Sequence, residues 1–373
     1  MLQAFSQFFS TTGLINFSWE NFVMMILAAV LIYIAIVKDA EPLLLIPIAF
    51  GMILANIPHE VTGLFVPNSG LMWYIQQGLY LGIYPPLVFF GIGALTDFSF
   101  MLANPKTVFL GGAAQVGIFI TFLVARFMGF GLPDSAAIAI IGGADGPTSI
   151  YVATRFQSQY LAVIAIAAYS YIALIPVIQP PIMKLLTTKK ERKIRMGLQL
   201  RHVSKLEKIV FPVVSTIIIG LLVPPALPLV GMLMFGNLLK ENGHTKRLVE
   251  AASKYVSDTA IIFLSLSVGA SADGKIFLTL NSLKIVGLGA AAFVIATASG
   301  ILLAKLMNVF SKNKINPLIG AAGVSAVPDA ARVAQRVAQE EDSSNFILMH
   351  AMGPNIAGVV GSAVAAGVFL SMI

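Results

Sequence analysis

One break in an apolar stretch near the middle of the chain constrains the fold more than any other feature of the sequence. Residues 141–151 read IGGADGPTSIY and have apolar sequence on both sides. The Gly146-Pro147 pair cannot continue a helix, because proline lacks the backbone amide and its ring clashes with the preceding turn. Inside lipid, such a break must be shielded by protein or line a wet cavity. A carboxylate at that depth, here Asp145, indicates an ion or proton site. The alternatives are a kink with a structurally paired aspartate and a soluble loop between two helices.

The composition indicates that this break lies inside a membrane. Hydrophobic residues make up 57% of the 373 positions and charged residues 11%, and the mean hydropathy is +0.87. These values predict an all-α polytopic membrane protein. The net charge of +7 does not indicate a nucleic-acid partner, because the basic residues cluster in short loops of the kind that orient membrane proteins.

Missing or scattered residue types exclude several kinds of site. The sequence has no cysteine, which excludes disulfides, thiolate metal sites and cysteine nucleophiles. Its four histidines, His59, His202, His244 and His350, are too scattered to predict a transition-metal cluster. Residues 1–20 lack a basic start and a small-residue cleavage site after an apolar run, so we predict no cleavable signal peptide.

The apolar runs form two halves around a basic block. We predict an N-terminal segment at 1–20, a first membrane repeat at 21–183, a basic linker at 184–208 and a second membrane repeat at 209–373. The linker holds nine lysines and arginines, so the positive-inside rule predicts that it is cytoplasmic. A plain solvated linker is the alternative, and it does not conflict with this placement.

The two halves match each other at a nearly constant offset of 176 to 185 residues. The matched pairs are Phe50-Gly51 with Phe235-Gly236, Gly93 and Asp97 with Gly269 and Asp273, Ala125-Arg126 with Ala304-Lys305, Ile141-Gly142 with Ile319-Gly320, and Tyr171 with Asn355. Such self-similarity is typical of transporters that arose by internal duplication. Chance similarity is the alternative, since apolar glycine-rich sequence matches itself easily.

The charges of equivalent loops predict that the two repeats have inverted topology. The loop 58–70 has no lysine or arginine, whereas its counterpart 240–258 is basic. The basic turn at Lys38 corresponds to the uncharged Pro224-Pro225 turn. Equivalent loops therefore lie on opposite sides of the membrane, which requires an odd number of crossings in each half. Five crossings plus one re-entrant hairpin per half satisfy this requirement.

This topology predicts about ten crossing helices, two re-entrant hairpins with broken helices, and both termini outside. The hairpins are expected at 131–159 and 315–343, with the glycine-rich breaks at their tips. The two tips are expected to meet near the bilayer midplane, beside Tyr171 on one crossing helix and Asn355 on another.

Oxygen-bearing side chains at the helix breaks predict a site for an alkali cation. The second tip lies within 316–332, and a further break, Gly-Pro-Asn, lies at 353–355. Four residues offer hard oxygen ligands: Asp145, Asn316, Ser325 and Asn355. Together with free backbone carbonyls, such ligands suit Na⁺ better than a transition metal. A single carboxylate also keeps the local charge near neutral when a monovalent cation binds.

Each of these ligands has a structural alternative. Asn316 could be a helix N-cap before Pro317, and it could serve both purposes. Ser325 could pack closely or bond its own backbone. Asn355 stands in an apolar helix beside Gly353-Pro354, where a purely structural role explains it less well.

Other polar residues near the breaks have structural explanations too. Arg332 alone is expected to extend toward the cytoplasmic surface, and Tyr171 alone would be a buried aromatic residue. His350 is expected to be a helix residue with satisfied hydrogen bonds. Asp97 and Asp273 are expected to cap loop ends.

Several blocks of the sequence resemble the membrane-embedded β subunit of the sodium-pumping biotin-dependent decarboxylases, a family that includes oxaloacetate, methylmalonyl-CoA and glutaconyl-CoA decarboxylases. The blocks are GGADGPTSIY at 142–151, AYSYIALIPVIQPPIMK at 168–184, NPLIGAAGVSAVPDAARVAQ at 316–335 and GPNIAG at 353–358. The resemblance covers about residues 85–373, and the first eighty residues are only generically hydrophobic.

The resemblance implies a membrane enzyme that works with other chains. A biotin carrier and carboxyltransferase subunit would load biotin with a carboxyl group, and this chain would decarboxylate the carboxybiotin, consume a proton and drive Na⁺ outward. The sequence has no Met-Lys-Met biotin-attachment motif, so biotin must come from the partner. A small single-span membrane subunit, a homo-oligomer and a bacterial or archaeal cytoplasmic membrane are also expected.

The resemblance also assigns roles to individual residues. Catalytic roles are implied for Asp145, Tyr171, Ser325 and Arg332, contact with the carboxybiotin for Asn316, Gly320 and Arg332, and Na⁺ contact for Asp145, Asn316, Ser325 and Asn355. Arg332 would hold the carboxylate as a bidentate partner, and Tyr171 would deliver or relay a proton. Competition between Na⁺ and a proton at Asp145 would couple proton use to Na⁺ movement.

Two other functions are alternatives. A Na⁺-coupled secondary transporter of an organic anion, with the same inverted repeats, fits everything but the resemblance and predicts transport without a biotin-bearing partner. A membrane scaffold for a soluble complex is the third. The buried carboxylate and the doubled helix breaks argue against a scaffold, which needs neither.

Overall fold

The computed structural model describes residues 12–13, 16–39, 41–58, 63–197 and 201–373, and its regular secondary structure in these ranges is helical. His59 and much of the predicted N-terminal segment lie outside the described residues. The helices of the first half are α1 (Trp19–Val37), α2 (Pro42–Asn56), α3 (Leu71–Tyr80), α4 (Tyr84–Leu95), α5 (Ser99–Ala103), α6 (Val108–Ala114), α7 (Val116–Phe127), α8 (Leu132–Ile140), α9 (Gly146–Arg155), α10 (Leu161–Ala173) and α11 (Ile175–Leu186). They are followed by α12 (Lys189–Arg192), α13 (Lys205–Leu222), α14 (Leu227–Asn242), α15 (Lys246–Glu250), α16 (Ser257–Ala270), α17 (Gly274–Phe277), α18 (Leu280–Phe310), α19 (Leu318–Ala321), α20 (Asp329–Glu341) and α21 (Leu348–Met372).

Short local signals explain where several helices begin. Ser18, Thr188 and Ser204 each accept a hydrogen bond from the backbone amide three residues later, and each forms a capping box before α1, α12 and α13. Pro42 and Pro147 stand in the first turns of α2 and α9, where a helix needs no amide donor. Polar caps and early prolines therefore divide a nearly continuous apolar sequence into separate helices.

Four helical segments in the described residues are long and apolar enough to cross a membrane: Trp19–Val37, Pro105–Phe127, Leu280–Phe310 and Leu348–Met372. Two more segments qualify if each bent pair counts as one span, namely α3 with α4, bent by 67°, and α10 with α11, bent by 65°. The all-helical membrane class is thus supported by four to six candidate spans. About ten crossings and the inverted repeat stay predictions, since shorter apolar helices such as Pro42–Asn56 are below the length of a full span.

Two pairs of helices cross at glycines in matching ways. α2 crosses α16, and α4 crosses α14. At each of four glycines, an added Cβ atom would overlap a backbone carbonyl oxygen of the facing helix, so the two backbones pack directly on each other. The glycine and oxygen pairs are Gly51 with Leu266, Gly236 with Phe90, Gly93 with Leu233, and Gly269 with Ile48. The first two pairs correspond to each other in the predicted repeat, and so do the last two.

The basic linker is attached to the second half of the chain. The guanidinium of the buried Arg192 donates to Glu341 Oε1, with Nε at 2.9 Å. The carbonyl oxygens of Arg192 and Ile194 accept hydrogen bonds from Asn316 Nδ2, at 2.8 and 3.0 Å, and from Asn345 Nδ2, at 3.0 and 3.3 Å. These bonds join the linker to the residues just before α19 and just after α20.

Candidate cation site at two helix breaks

The first helix break lies between α8 and α9 and contains one carboxylate. A 3₁₀ segment, Ile141–Gly143, ends at Ala144, whose φ of 53° is in the left-handed region. Asp145 follows as the N-cap of α9, and its Oδ1 accepts a hydrogen bond from Thr148 N at 3.1 Å. The position suits an anion, because the backbone amides and the dipole of a helix N-terminus favour negative charge. Asp145 is buried, so its other oxygen requires a partner from elsewhere in the fold.

Ser362 on α21 is that partner. Ser362 Oγ lies 2.5 Å from Asp145 Oδ2 and 3.0 Å from Ser325 Oγ. Ser325 belongs to the second break, between α19 and α20, and its backbone amide donates to Gly143 O at 2.8 Å. The two breaks are therefore joined twice, once through the backbone and once through a chain of hydroxyls that ends on a carboxylate. We call Asp145, Ser325 and Ser362 the Asp145 cluster.

Amide side chains pair with the carbonyls that the second break leaves free. Asn355 Nδ2 on α21 donates to Val324 O at 2.7 Å and to Ala326 O at 3.1 Å. Gln179 Nε2 on α11 donates to Ala321 O at 3.0 Å. Non-helical backbone is tolerated at membrane depth only when such partners are present. Asn355 thus holds the residues on both sides of Ser325.

Four buried side-chain oxygens near the cluster have no hydrogen-bond partner among the described residues: Thr148 Oγ1, Gln115 Oε1, Asn355 Oδ1 and the hydroxyl of Tyr169. Gln115 reaches the first break, because a Cβ atom built on Gly143 would lie 3.8 Å from Gln115 Oε1. Leaving a buried polar group unpaired costs about 1–3 kcal/mol. The described residues hold no group of three or more His, Cys, Asp or Glu side chains suited to a metal. The oxygens here are one carboxylate and several neutral groups, which is a ligand set for a hard monovalent cation.

Asn316 and Gly320 make contacts outside the Asp145 cluster. Asn316 Oδ1, one residue before the N-cap Pro317, accepts a hydrogen bond from Leu318 N at 3.1 Å, which is close to the capping alternative. Its amide donates to the linker carbonyls described above. Gly320 packs against the backbone of Gly300 on α18, where an added Cβ atom would overlap Gly300 O. Neither residue has a hydrogen bond to the cluster in the described residues.

Tyr171 and Arg332 are also separate from the cluster in this conformation. The hydroxyl of Tyr171 donates to Val286 O on α18. The Arg332 side chain is 65% exposed, and its nearest ionic partner is Asp329, with Nη1 and Oδ1 3.5 Å apart. The tyrosine ring that packs against the first break is Tyr169, which lies where a Cβ atom of Gly146 would be.

Structural roles are confirmed for two other acidic residues. Asp97 accepts a hydrogen bond from Ser99 N at 2.9 Å, and Asp273 accepts one from Lys275 N at 2.7 Å, so both are loop-end caps. For His350, Nε2 lies 2.7 Å from Gly197 O, whereas Nδ1 has no partner among the described residues. The expected hydrogen bonding of His350 is therefore satisfied at one of its two ring nitrogens.

Comparison with known proteins gives the family. The family profile described as the Na⁺-transporting oxaloacetate decarboxylase beta subunit matches residues 20–373. The chain is 51% identical to the methylmalonyl-CoA decarboxylase subunit beta of Propionigenium modestum, with 100% of both chains covered. It is 53% identical to the glutaconyl-CoA decarboxylase subunit beta of Acidaminococcus fermentans, with 97% and 96% covered. It is 46% identical to the oxaloacetate decarboxylase beta chain of Klebsiella pneumoniae, with 97% of each covered.

The chain belongs to the β-subunit family of the Na⁺-transporting decarboxylases. The resemblance seen in the sequence motifs is therefore confirmed, and it extends further than expected. The match begins at residue 20, whereas the motifs place its start at about residue 85. The apolar helices α1 to α3 are thus part of the family's common architecture even though they carry no recognisable motif.

Two residues whose side-chain oxygens lie beside the breaks of this decarboxylase β subunit are absent from the sequence-based predictions. Ser362 lies seven residues after Asn355, which is two helical turns along the same face of α21. Gln115 is an amide within an otherwise apolar helical stretch. A search for polar residues at helical spacing from the breaks would have found Ser362. Gln115 could have been found as a polar residue at membrane depth.

Proposed function

We propose that this chain decarboxylates carboxybiotin presented by a partner subunit and couples that step to outward Na⁺ transport and the consumption of a proton. The observation that carries the proposal is the Asp145 cluster, in which residues of both helix breaks meet around one buried carboxylate. The printed names of the relatives, which are β subunits of decarboxylases for three different acids, support it.

The cluster can bind Na⁺ because each hydroxyl has two alternative acceptors. Ser362 Oγ is within 3.0 Å of Val359 O as well as close to Asp145, and Ser325 Oγ is 2.9 Å from Gly358 O as well as close to Ser362. A hydroxyl has one proton to donate and two lone pairs. When both protons turn toward the α21 carbonyls, the two Oγ atoms present lone pairs beside the Asp145 carboxylate, and Na⁺ takes the place of the hydroxyl protons.

The same carboxylate couples Na⁺ to a proton. Asp145 is the single carboxylate of the cluster, and it cannot hold Na⁺ and a proton together without leaving excess positive charge in a buried site. Proton arrival therefore favours Na⁺ release. We propose that the α8–α9 and α19–α20 hairpins move against the remaining helices, so that this exchange faces alternate sides of the membrane.

Arg332 and Tyr171 are proposed to act on the carboxybiotin. Arg332, exposed one turn from the second break, would hold the carboxylate by paired hydrogen bonds. When the N–C bond breaks, CO₂ leaves and the electron pair stays on the ureido nitrogen, which then takes a proton. Tyr171 would deliver or relay that proton after its hydroxyl leaves Val286 O. Asn316 would hold the base of the second hairpin on the linker, and Gly320 would let the hairpin pack against α18, so both would keep the site in place for the carboxybiotin.

The proposed architecture has ten crossings, two re-entrant hairpins and two inverted repeats in a bacterial or archaeal cytoplasmic membrane. The matching glycine crossings of α2 with α16 and of α4 with α14 support the repeat. The domain bounds 21–183, 184–208 and 209–373 belong to the same proposal. The partners are a biotin carrier and carboxyltransferase subunit and a small single-span membrane subunit, and the chain is proposed to form a homo-oligomer.

The direct test measures CO₂ release from carboxybiotin-loaded partner protein. The purified chain, with its small membrane partner, is mixed with the loaded carrier across a Na⁺ titration. The proposal expects release that saturates with Na⁺. No release at any Na⁺ concentration, from folded protein that still binds Na⁺, would overturn it and favour the secondary-transporter alternative.

The hydroxyl chain yields a quantitative prediction. Ser362→Ala should raise the Na⁺ concentration for half-maximal activity by about tenfold or more, because the variant lacks the Oγ lone pair that faces the ion, and a polar contact to a charged group contributes about 1.5–3 kcal/mol. Ser371→Ala is the matched control on the same helix, since Ser371 Oγ donates to Gly367 O of its own helix at 2.9 Å. A Ser362→Ala protein with unchanged Na⁺ dependence would remove Ser362 from the site.

A further inference from the structure

One face of α20 carries a stripe of charged side chains that the Asp145 cluster does not use. Asp329, Arg332, Arg336 and Glu340 are spaced by three and four residues, so they lie along one face of the helix. The side chains of Asp329, Arg332 and Glu340 are 38%, 65% and 45% exposed, and Arg336 is exposed too. The other face is fully packed, and its buried residues are Ala330, Ala331, Val333, Ala334, Val337 and Ala338.

The stripe connects the cytoplasmic linker with the Asp145 cluster. At its outer end Glu340 Oε2 lies 2.7 Å from Lys184 Nζ, and Glu341 pairs with Arg192 of the linker. Its inner end follows the second break, where Ser325 is bonded to the first break. From Arg332 to Glu340 the helix rises about 12 Å.

Under the proposed topology this stripe cannot face lipid. Charged side chains within the bilayer face a protein interior or a water-filled cavity. Under that topology the stripe would be one wall of a wet passage from the linker toward the cluster.

Arg336 is the cation of this stripe that has no assigned partner. It makes no hydrogen bond or ion pair with any described residue. The acidic groups near it are engaged elsewhere, Asp329 with Arg332 and Glu340 with Lys184. Arg336 lies one helical turn outward from Arg332, on the same face. A guanidinium so placed presents a fork of donors that matches a carboxylate.

We propose that Arg336 binds the carboxylate of incoming carboxybiotin in the passage and passes it to Arg332. This inference rests on the proposed function. Arg336 would contact the carboxybiotin before Arg332 does, and it makes no contact with the Asp145 cluster, so it should govern capture of the carboxylated carrier and leave the chemical step and Na⁺ binding unchanged.

The test compares Arg336→Gln and Arg336→Lys with wild type in the complete complex, with carboxybiotin-loaded carrier as the substrate. Arg336→Gln should raise KM for the loaded carrier about tenfold, which corresponds to about 1.4 kcal/mol. Its kcat and its half-saturating Na⁺ concentration should stay within about twofold of wild type, as expected when only capture is affected. Arg336→Lys should fall between the two, because lysine keeps the charge and loses the fork.

The control variant is Arg247→Gln, which removes the same charge from α15, outside the passage. It should leave KM unchanged. The inference is overturned if Arg336→Gln has the KM of wild type, if Arg247→Gln raises KM equally, or if the loss appears in kcat or in Na⁺ dependence. A wild-type complex without Na⁺-dependent CO₂ release would instead refute the proposed function, so the two failures are distinguishable.

Discussion

Asp145→Asn should abolish Na⁺-dependent CO₂ release and Na⁺ transport. Asparagine has the same shape, and its Oδ1 can still accept the hydrogen bond from Thr148 N that caps α9. What it removes is the single negative charge of the cluster. A unit charge pair 4 Å apart at an effective dielectric constant of about 20 is worth about 4 kcal/mol, so Na⁺ affinity should fall by about a thousandfold.

The measurement is Na⁺ binding to the purified variant, alongside CO₂ release from the loaded carrier. Asp273→Asn is the matched control, because Asp273 also caps a helix start but belongs to a loop away from both breaks. It should keep wild-type Na⁺ dependence. Sodium transport at the wild-type rate by Asp145→Asn would contradict the assignment of Asp145.

Gly320→Ala should prevent correct assembly of the second hairpin. A Cβ atom at position 320 would overlap Gly300 O, and one at position 300 would overlap Gly320 O, so the two backbones leave no room for a methyl group. Overpacking by a methyl group costs about 1–3 kcal/mol when side chains can yield. Here the obstacle is backbone, and the cost should reach or exceed the top of that range. We expect a lower Tm and a poor yield of monodisperse protein.

Gly287→Ala is the control for this prediction, since Gly287 is on α18 with Gly300 and a Cβ atom there would meet nothing within 4 Å. It should be neutral or stabilise the fold by about 0.4–1 kcal/mol, because alanine restricts the unfolded chain. A Gly320→Ala protein with wild-type Tm but altered KM for the loaded carrier would contradict the packing explanation. It would favour the direct contact with carboxybiotin that the family resemblance implies.

The site could be predicted where a residue is incompatible with its surroundings. A Gly-Pro pair beside a carboxylate in apolar sequence identifies Asp145, because lipid tolerates neither a bare break nor an unpartnered charge. Ser325 followed from its place in the matching break. Ser362 did not, since a serine in an apolar helix can bond its own backbone, and only the folded chain shows that it contacts Asp145.

Asn316 shows a different limit of sequence analysis. A cap and a cation ligand both need a side-chain oxygen beside a helix start, so the sequence alone does not separate them. In the structure the oxygen accepts from Leu318 N in the first turn of α19, and the amide donates to linker carbonyls. The number of crossing helices is also hard to predict from the sequence, because some spans are broken into two helices. The pairs α3–α4 and α10–α11 bend by more than 60°, and no single helix in either pair reaches the length of a span.

The paired amides at the linker have a mechanical consequence. Asn316, before α19, and Asn345, after α20, donate to the same two carbonyls, those of Arg192 and Ile194. The hairpin is therefore closed at its base by a third piece of chain, and its two arms cannot slide past each other without breaking these bonds. Under the proposed topology, a partner that displaces residues 192–194 from the cytoplasmic side would move both arms together and carry Ser325 with them. The hairpin would thus convert contact at the membrane surface into movement beside Asp145.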